Sequence, residues 1–446
     1  MNIKRQIKGV KMKNILKYIL AFIIVIAIFL ITLTLSCVFP RDWIQENTKE
    51  SAITLLKQGN PSHILDIRFD NFTDTLMINT AYSIDSSHPF ESVLLARRNY
   101  LPEKEQNVYE DVNIESNVAL NENVDIMTEL IQTVSGDIEY SYEYARYWHG
   151  YITILRPLLI FFNFNEIRLI IIAVLAMLAI YLLMILSKKI SFKYCFVIIL
   201  SLLVSEYFLM GFTLQGVMTF IISMIASIII CKRFDKIKNI GIYFFVLGMV
   251  TCFFDLLTHP IITLGIPMII YLLIKQEKEQ VPLKELIKFI VINTILWGIG
   301  YLATNLAKWV IVDAIYNRDL IHKSIMQFFY RSQEEYTSNL AWYDGITSNF
   351  IYASVNTFAY YMILIVYAII ALIKNYKNIS LDIKSAIPYL IISFMPIAWY
   401  LLMRNHALNH MFFTWRGLIV FYLGTGICIF KLLKIKTEKT NEDNVQ

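Results

Sequence analysis

The stretch Tyr144-Ala-Arg-Tyr-Trp-His-Gly-Tyr151 ends a long polar segment of the sequence. A mainly apolar run, residues 152–163, follows it. Arg146, His149 and Arg156 occur there together with several aromatic side chains. Amphipathic aromatic rings are typical of a membrane-water interface, and cations beside them suit lipid phosphates. The stretch predicts the rim of a site for a lipid-borne substrate. An aromatic belt that only anchors the chain in the membrane is the alternative interpretation.

The composition around this stretch is that of a membrane protein. Of 446 residues, 57% are hydrophobic and 17% are charged, and the mean hydropathy is +0.54. Soluble domains are only about 45 to 50% apolar. The net charge of +5 gives no indication of nucleic-acid binding, because the uneven placement of lysine and arginine sets orientation in a membrane instead. We therefore expect an all-α polytopic membrane protein.

Apolar runs divide the chain into about ten predicted transmembrane helices. These runs are 15–38, 167–187, 195–212, 214–231, 240–257, 261–274, 286–315, 350–373, 387–403 and 417–433. Every predicted loop on one side carries lysine, and by the positive-inside rule that side is cytoplasmic and holds both termini. Abundant Ile, Lys and Asn are typical of an AT-rich bacterial genome, so the expected location is a bacterial plasma membrane.

This topology predicts four parts of the chain. Residues 1–38 form a cytoplasmic N-terminus and the first transmembrane helix, and residues 39–150 form a large extracytoplasmic lobe. Residues 151–433 form the multi-span domain with an outer loop at 316–349, and residues 434–446 form a cytoplasmic tail. The five cysteines lie in or at the ends of apolar runs, which predicts no disulfide framework.

Ionisable residues are distributed asymmetrically in this topology. Glu206 and Asp255 lie near the outer ends of predicted spans, where a charge at membrane depth costs roughly 2.5 to 3.5 kcal/mol and indicates a functional interior. Asp255 and His259 would share a face of a continuous helix, either as a binding pair or as a structural clasp before Pro260. All seven histidines fall outside or at outer span ends: His63, His88, His149, His259, His322, His406 and His410.

A second dense polar cluster is Asn405-His-Ala-Leu-Asn-His-Met-Phe-Phe-Thr-Trp-Arg416. If this segment is helical, His406 and His410 lie on one face, with Arg416 near enough to meet a phosphate or sugar hydroxyls. The two histidines could also bind a transition metal, although they lack the glutamate of a zincin motif. A polar interfacial loop is the alternative.

The lobe supplies carboxylates in the segment Asp66-Ile-Arg-Phe-Asp-Asn-Phe-Thr-Asp74, at four-residue spacing. Asp74 precedes a largely apolar run, so it could be a helix N-cap. The functional interpretation makes it a general base, or a carboxylate that orients an acceptor hydroxyl near the membrane surface.

The layout resembles the GT-C superfamily of integral-membrane glycosyltransferases, in topology over the whole chain but in residues only over 66–74, 146–149 and 405–416. The resemblance implies an extracytoplasmic active site and a polyprenyl-phosphate-linked sugar as donor, with Asp74 or Asp70 as the catalytic carboxylate. The chain departs from the family pattern in having no adjacent acidic pair early in a longer first loop, which leaves a divalent metal requirement open. The arginines implied for the donor phosphate are Arg146, Arg156, Arg404 and Arg416.

The expected activity is transfer of a sugar from that carrier to a cell-envelope glycan or lipid acceptor on the outer face. Asp74 would accept the proton of the acceptor hydroxyl, and arginines would stabilise the phosphate leaving group. The alternatives are a transporter or flippase of a lipid-linked or anionic glycan, for which midplane sites and internal repeats are typical, and a non-catalytic assembly factor. Membrane lipids are expected partners and nucleic acid is not. The sequence has no GxGxxG, Walker or CxxC motif.

Overall fold

The computed structural model describes residues 2–64, 67–99, 126–138, 141–332, 341–375 and 379–435. Within these ranges the chain is almost entirely helical, with three short antiparallel hairpins. The helices are α1 Asn2–Cys37, α2 Asp42–Gln58, α3 Asn71–Tyr82, α4 Pro89–Leu95, α5 Ile126–Ser135, α6 Ile152–Phe161, α7 Phe164–Leu186, α8 Phe192–Val204, α9 Val217–Arg233, α10 Ile240–Phe254, α11 Ile261–Lys278, α12 Leu283–Tyr316, α13 Leu320–Ser332, α14 Asp344–Tyr352, α15 Ser354–Asn375, α16 Ile383–Ser393, α17 Met395–Leu402, α18 Arg404–Asn409, α19 Met411–Thr414 and α20 Ile419–Leu432.

The hairpins pair strands that are close in sequence or that join two helical regions. In β1 Ser62–Ile64 and β2 Ile67–Phe69, His63 lies opposite Arg68. In β3 Arg97–Asn99 and β4 Ser141–Glu143, Arg98 lies opposite Tyr142. The third hairpin pairs β5 Ile379–Leu381 with β6 Leu433–Ile435. The chain is therefore an all-α protein with minor β structure, as the apolar runs predicted.

Seven helical segments in the described part of the chain are long and apolar enough to cross a membrane, which supports a polytopic membrane protein. The α12 helix has 34 residues and so measures about 51 Å, more than the roughly 30 Å of a hydrocarbon core. The seven segments are Ile15–Cys37, Phe164–Leu186, Val217–Lys236, Leu283–Tyr316, Ser354–Lys374, Ile383–Leu402 and Met411–Leu432.

The other three predicted spans fall on α8, α10 and α11, which are not among those seven segments. The predicted span 195–212 is interrupted, because α8 ends at Val204 and a 3₁₀ segment, Tyr207–Phe212, follows after Glu206. Glu206 adopts a left-handed backbone with φ of +55°, which ends the α-helix. The structure thus supports seven spans in the described residues, and ten remains a prediction.

Close contacts between backbones hold the apolar helices together. At Gly248 of α10, an added Cβ would lie 2.1 Å from the carbonyl oxygen of Trp297, and at Gly300 of α12 one would lie 2.1 Å from the carbonyl oxygen of Phe245. Only glycine allows the two backbones to approach in this way, as is common between membrane helices. The α9 and α11 helices and the α16 and α20 helices form the other extensive pairs.

The described residues of 39–150, here called the lobe, pack against α1, α6 and α7; the part of the helical assembly that they contact is called the lobe end. Helices α2 and α3 contact α5 and α6, while α4 contacts α1. The apolar core is continuous from the lobe into the helices. The described part of the lobe is thus mainly helical, with the β1–β2 and β3–β4 hairpins at its edges.

The ends of the helices that lie away from the lobe gather the lysine-rich loops. There the Lys278 Nζ pairs with Asp235 at 2.6 Å, and the Lys431 Nζ pairs with Glu277 at 3.1 Å. Gln276 accepts a hydrogen bond from the hydroxyl of Tyr389 at 2.7 Å. These contacts join loops that the sequence predicts to be cytoplasmic, and the side of the membrane that they face stays a prediction. Of the predicted tail, residues 436–446 lie outside the described residues, as do 333–340 of the predicted outer loop.

The re-entry stretch 144–151 is fixed between α1, α10 and α12. The Trp148 indole donates a hydrogen bond to the Thr304 carbonyl at 2.8 Å, and the backbone N–H of Gly150 donates one to the Phe253 carbonyl at 2.8 Å. The Trp309 indole donates to the Arg146 carbonyl at 2.9 Å. Trp148 is fully buried, so it does not belong to a lipid-facing aromatic belt.

Candidate functional site

A polar cavity of about 590 Å³ lies between the lobe and the lobe end of the helices; we call it the outer cavity. Its wall includes residues of α3, the β1–β2 hairpin, the re-entry stretch, α13 and α18. Its volume is in the range of small-molecule sites. The charged side chains that line it are Arg68, Asp70, Arg98 and Arg331, and the two histidines are His406 and His410.

A second cavity of about 340 Å³, the lateral groove, runs between α12 and α17. Its lining is strongly apolar and includes Trp297, Leu302, Trp399 and Leu402. Leu302 and Leu402 are 64% and 51% exposed, so the groove opens on the surface that faces lipid in a membrane-spanning chain. The lining residues of α12 extend from Thr294 to Trp309, which corresponds to about 22 Å of helix.

The two cavities share three lining residues, Tyr147, Gln327 and Arg331, which define the junction. The Arg331 guanidinium lies 5.9 Å from the centre of the Tyr147 ring. Arg146 also lines the groove and lies 5.1 Å from the same ring. A site with an apolar groove on one side, cations in the middle and a polar cavity on the other side suits an amphipathic anion.

The three arginines that line the outer cavity, Arg68, Arg98 and Arg331, have different electrostatic partners. The arginines that pair with a carboxylate in the described part of the chain are Arg97, Arg98, Arg318 and Arg416. The Arg68 guanidinium instead lies over the Phe412 ring at 4.9 Å. Of the three, Arg98 forms an ion pair with Glu129, Arg68 lies close enough to Asp70 to favour its charged form, and Arg331 forms no ion pair in the described ranges.

Asp70 is the carboxylate that lines the outer cavity. It is the N-cap of α3, where its Oδ1 accepts a hydrogen bond from the Phe72 N–H at 3.1 Å and its Oδ2 accepts one from the Thr73 hydroxyl at 2.6 Å. Burial raises the pKa of the Asp70 carboxyl above its ordinary value, against these hydrogen bonds and the nearby Arg68. A carboxylate with a raised pKa is a stronger base.

Asp74 lies one helical turn further on and is fully buried. Its Oδ1 accepts hydrogen bonds from the Thr213 hydroxyl and from the N–H groups of Leu214 and Gln215, at 2.9 to 3.1 Å. The interpretation of Asp74 as an N-cap is wrong, since Asp70 has that position. Burial raises the Asp74 pKa to about 7, against the opposing effect of Arg168 and the hydrogen bonds. Asp66 lies outside the described residues.

The three cationic residues predicted at the re-entry have different environments. Arg146 lines the lateral groove. His149 is buried; its Nε2 donates a hydrogen bond to the Tyr144 carbonyl at 2.7 Å, and burial lowers its pKa to about 3. Arg156 is buried, and its guanidinium donates hydrogen bonds to the backbone carbonyls of Ala81 and Phe39 at 3.0 and 2.5 Å. His149 and Arg156 thus connect parts of the chain and are absent from the described walls of both cavities.

Glu206 and Arg416 pair with each other: the Arg416 Nη2 lies 2.6 Å from the Glu206 Oε2. The Arg416 side chain also donates to the Phe412 carbonyl at 3.2 Å. Neither residue is among the described residues that line the outer cavity or the lateral groove. The pair joins the end of α8 to the start of α20, 210 positions apart in sequence.

Asp255 and His259 do not form the predicted helical pair, because α10 ends at Phe254 and α11 begins at Ile261. Asp255 Oδ1 accepts hydrogen bonds from the N–H and the hydroxyl of Thr258 at 2.9 and 2.5 Å. His259 Nδ1 contacts the Thr219 hydroxyl at 2.7 Å. Asp255 therefore binds within the loop 255–260, and His259 connects that loop to α9.

The cluster 405–416 is helical in α18 and α19, and His406 and His410 lie together as predicted, with ring centroids 4.6 Å apart. Both histidines line the outer cavity. Burial lowers the pKa of His410 to about 4, so its imidazole is neutral at physiological pH. Arg404 begins α18 and is not among the described lining residues.

Residues that could hold a metal ion are not grouped in the described ranges: no cluster of three or more His, Cys, Asp or Glu side chains is present there. A ligand of the outer cavity would meet aromatic rings, amides and arginines, together with the Asp70 carboxylate and two histidines. Sequence reasoning missed the junction residues Gln327 and Arg331. The only available signal was an arginine in the last turn of an amphipathic helix in a predicted outer loop, which does not single it out.

Comparisons of the chain with family models, with curated proteins and with solved structures found no match. The geometry of the two cavities is therefore the basis for the function argued below.

Proposed function

We propose that the chain is a membrane glycosyltransferase that moves a sugar from a polyprenyl-phosphate carrier to a cell-envelope glycan or lipid acceptor. The lobe end would then face the outside of a bacterial plasma membrane. The observation that carries the proposal is the junction, where an apolar groove open toward lipid meets a polar cavity at Arg331. A polyprenyl-phosphate sugar has the same order of parts: an apolar tail, an anion and a polar ring.

The lateral groove would hold the tail, because burial of apolar surface is favourable and the wall offers mainly apolar atoms. The phosphate would lie at the junction beside Arg331, which forms no ion pair in the described ranges and presents a planar fork of donors. Arg146 also lines the groove and lies beside Tyr147, so its charge adds to the positive electrostatic potential at the junction.

The sugar and the acceptor would occupy the outer cavity. Asp70 is the proposed base, since its carboxylate lines that cavity while Asp74 is enclosed. The acceptor oxygen attacks the anomeric carbon, the bond from that carbon to the phosphate oxygen breaks, and the acceptor proton passes to Asp70. The carrier phosphate leaves with the bonding electrons as an anion stabilised by Arg331. A single displacement of this kind inverts the anomeric configuration.

The alternative is a transporter or flippase of a lipid-linked or anionic glycan. Transporter sites are typically near the bilayer midplane at the interface of internal repeats. Here the polar cavity lies at the lobe end, under the lobe, and it contains a carboxylate beside cationic groups. Those observations favour the transferase.

The test is transfer of a radiolabelled sugar from polyprenyl-phosphate donors in proteoliposomes of the purified chain. We expect transfer to a glycan acceptor, with loss of the label from the lipid phase. Arg331→Gln should reduce the rate, whereas Arg318→Gln, an exposed arginine that pairs with Glu143, is the matched control. Movement of the intact lipid-linked sugar across the bilayer without transfer would favour the flippase.

A further inference from the structure

Arg331 is the only arginine that lines both cavities in the described ranges, so whatever orients its guanidinium sets the geometry of the junction. It lies in the last turn of α13, one residue before that helix ends. Its guanidinium lies beside the Tyr147 ring and the imidazole of His406, whose Nδ1 lies 3.5 Å from Nη1 of Arg331. This distance is at the long limit for a hydrogen bond.

Whether His406 Nδ1 donates or accepts a hydrogen bond depends on the hydrogen bond that Nε2 of the same ring makes. His406 Nε2 lies 2.7 Å from the carbonyl oxygen of Leu257. A carbonyl oxygen can only accept, so Nε2 carries the proton. In the neutral ring Nδ1 then has a lone pair, which faces a guanidinium N–H. Burial, His410 and Arg331 hold the pKa of His406 well below its ordinary value, which keeps the ring neutral.

The Leu257 carbonyl is itself held in place by the loop 255–260. Leu257 has a left-handed backbone with φ of +66°, which is costly for a branched residue and persists only where the surroundings fix it. Asp255 fixes this loop through its two hydrogen bonds from Thr258. A continuous set of contacts therefore runs from the loop through His406 to Arg331.

We propose that His406 is a positioning residue, which accepts a hydrogen bond from Arg331 and so aims the guanidinium at the anionic group of a ligand bound at the junction. The proposal rests on the proposed function for the identity of that group, a lipid phosphate. A long flexible side chain that is already oriented loses less freedom when the anion binds. His406 acts through Arg331 and takes no part in proton transfer.

Two substitutions of His406 distinguish the role of Nδ1 from that of Nε2. In His406→Asn the amide oxygen lies near the position of Nδ1 and can accept from Arg331, but the contact with Leu257 is lost. In His406→Gln the amide N–H lies near the position of Nε2 and can donate to Leu257, but the acceptor facing Arg331 is lost. His322→Gln is the control, because His322 lies on the same helix as Arg331 and its side chain is 65% exposed.

The measurement is the affinity of the purified chain for farnesyl phosphate in detergent micelles, compared with uncharged farnesol. We expect Arg331→Gln and His406→Gln each to weaken farnesyl phosphate binding about tenfold, with farnesol binding unchanged. His406→Asn should stay within about threefold of the natural chain, and His322→Gln should have no effect. If His406→Gln binds like the natural chain, or His406→Asn binds as weakly as His406→Gln, the positioning role is overturned.

A second measurement keeps the two proposals apart. In the ligand-free chain, the ¹⁵N chemical shifts of His406 should show a protonated Nε2 and a bare Nδ1, and Arg331→Gln should move the Nδ1 resonance. A protonated Nδ1 would overturn the positioning role without reference to any ligand. If the shifts are as expected but farnesyl phosphate binds no better than farnesol, the lipid-phosphate function fails and the orientation of Arg331 by His406 stands.

Discussion

Two regions of the lobe end use the same kinds of side chain for opposite purposes. Asp74 and Arg416 are held by protein groups: Oδ1 of Asp74 accepts three hydrogen bonds from the segment 213–215, and the Arg416 guanidinium pairs with Glu206. Asp70 and Arg331 instead line open space, and the described residues provide no ion pair for Arg331. Burial of a charge is costly without partners, so the first region stabilises the fold, whereas the second has donors and acceptors that remain able to meet a ligand.

The strongest test of this contrast is Asp70→Asn. Asparagine is as good an N-cap as aspartate, so α3 should be kept while the base is removed. We expect transfer to fall by about 10² to 10⁴ with little change in melting temperature, measured as initial rate of labelled-sugar transfer and by thermal unfolding in detergent. Asp85→Asn, on the lobe surface with a side chain 55% exposed, is the matched control. Full activity of Asp70→Asn would exclude Asp70 as the base.

The next largest effect should come from breaking the Arg416–Glu206 pair. Arg416→Met leaves a carboxylate without its partner, which typically costs about 3 to 5 kcal/mol when the pair is buried. We expect a lower melting temperature, and Arg416→Met combined with Glu206→Gln should recover part of the loss. Lost substrate affinity at unchanged stability would place Arg416 at the ligand instead.

Asp74 should make stability depend on pH with a defined sign. Its pKa in the folded chain is raised from 3.8 to about 7, so the folded state binds more protons than the unfolded state between these values. Stability therefore falls as pH rises from about 4 to about 7. The melting temperature of the natural chain minus that of Asp74→Asn should decrease over this window. If the difference in melting temperature does not change with pH, the hydrogen bonds from residues 213–215 cancel the effect of burial on the Asp74 pKa.

The smallest effect tests the lateral groove. An added Cβ at Gly298 meets no heavy atom within 4 Å, so Gly298→Phe can project into the groove without displacing protein. We expect the KM for a polyprenyl-phosphate donor to rise about tenfold, or about 1.4 kcal/mol. Ile299→Phe is the control, because Ile299 is 50% exposed and is not among the described residues that line the lateral groove. Equal KM values for the two variants would argue that the tail binds elsewhere.

The cluster 405–416 shows how far local sequence patterns reached. Spacing correctly predicted that His406 and His410 lie together, because helix geometry alone brings residues four apart to one face. The same reasoning failed for Asp255 and His259, since it assumed a helix that ends at Phe254. Local rules give a reliable result only where the predicted element is continuous.

The lobe carboxylates show why the candidate site was only partly predictable. The sequence identified both Asp70 and Asp74 and raised an N-cap as one interpretation of Asp74, whereas Asp70 is the N-cap. Asp74 is enclosed by Thr213, Leu214 and Gln215, which are 139 to 141 positions away in sequence. Arg331 was missed for a related reason: the junction forms only where α12, α13 and the re-entry stretch meet.

The amino-acid sequence alone determined that the chain is a helical membrane protein, and the placement of its lysines predicted an orientation in the membrane. Hydrophobicity and charge act residue by residue, so both can be summed along a chain. The tertiary structure decided which polar side chains are satisfied by the protein and which line a cavity. That distinction depends on hydrogen-bond partners from distant segments, and partners of this kind exist only after the helices have packed.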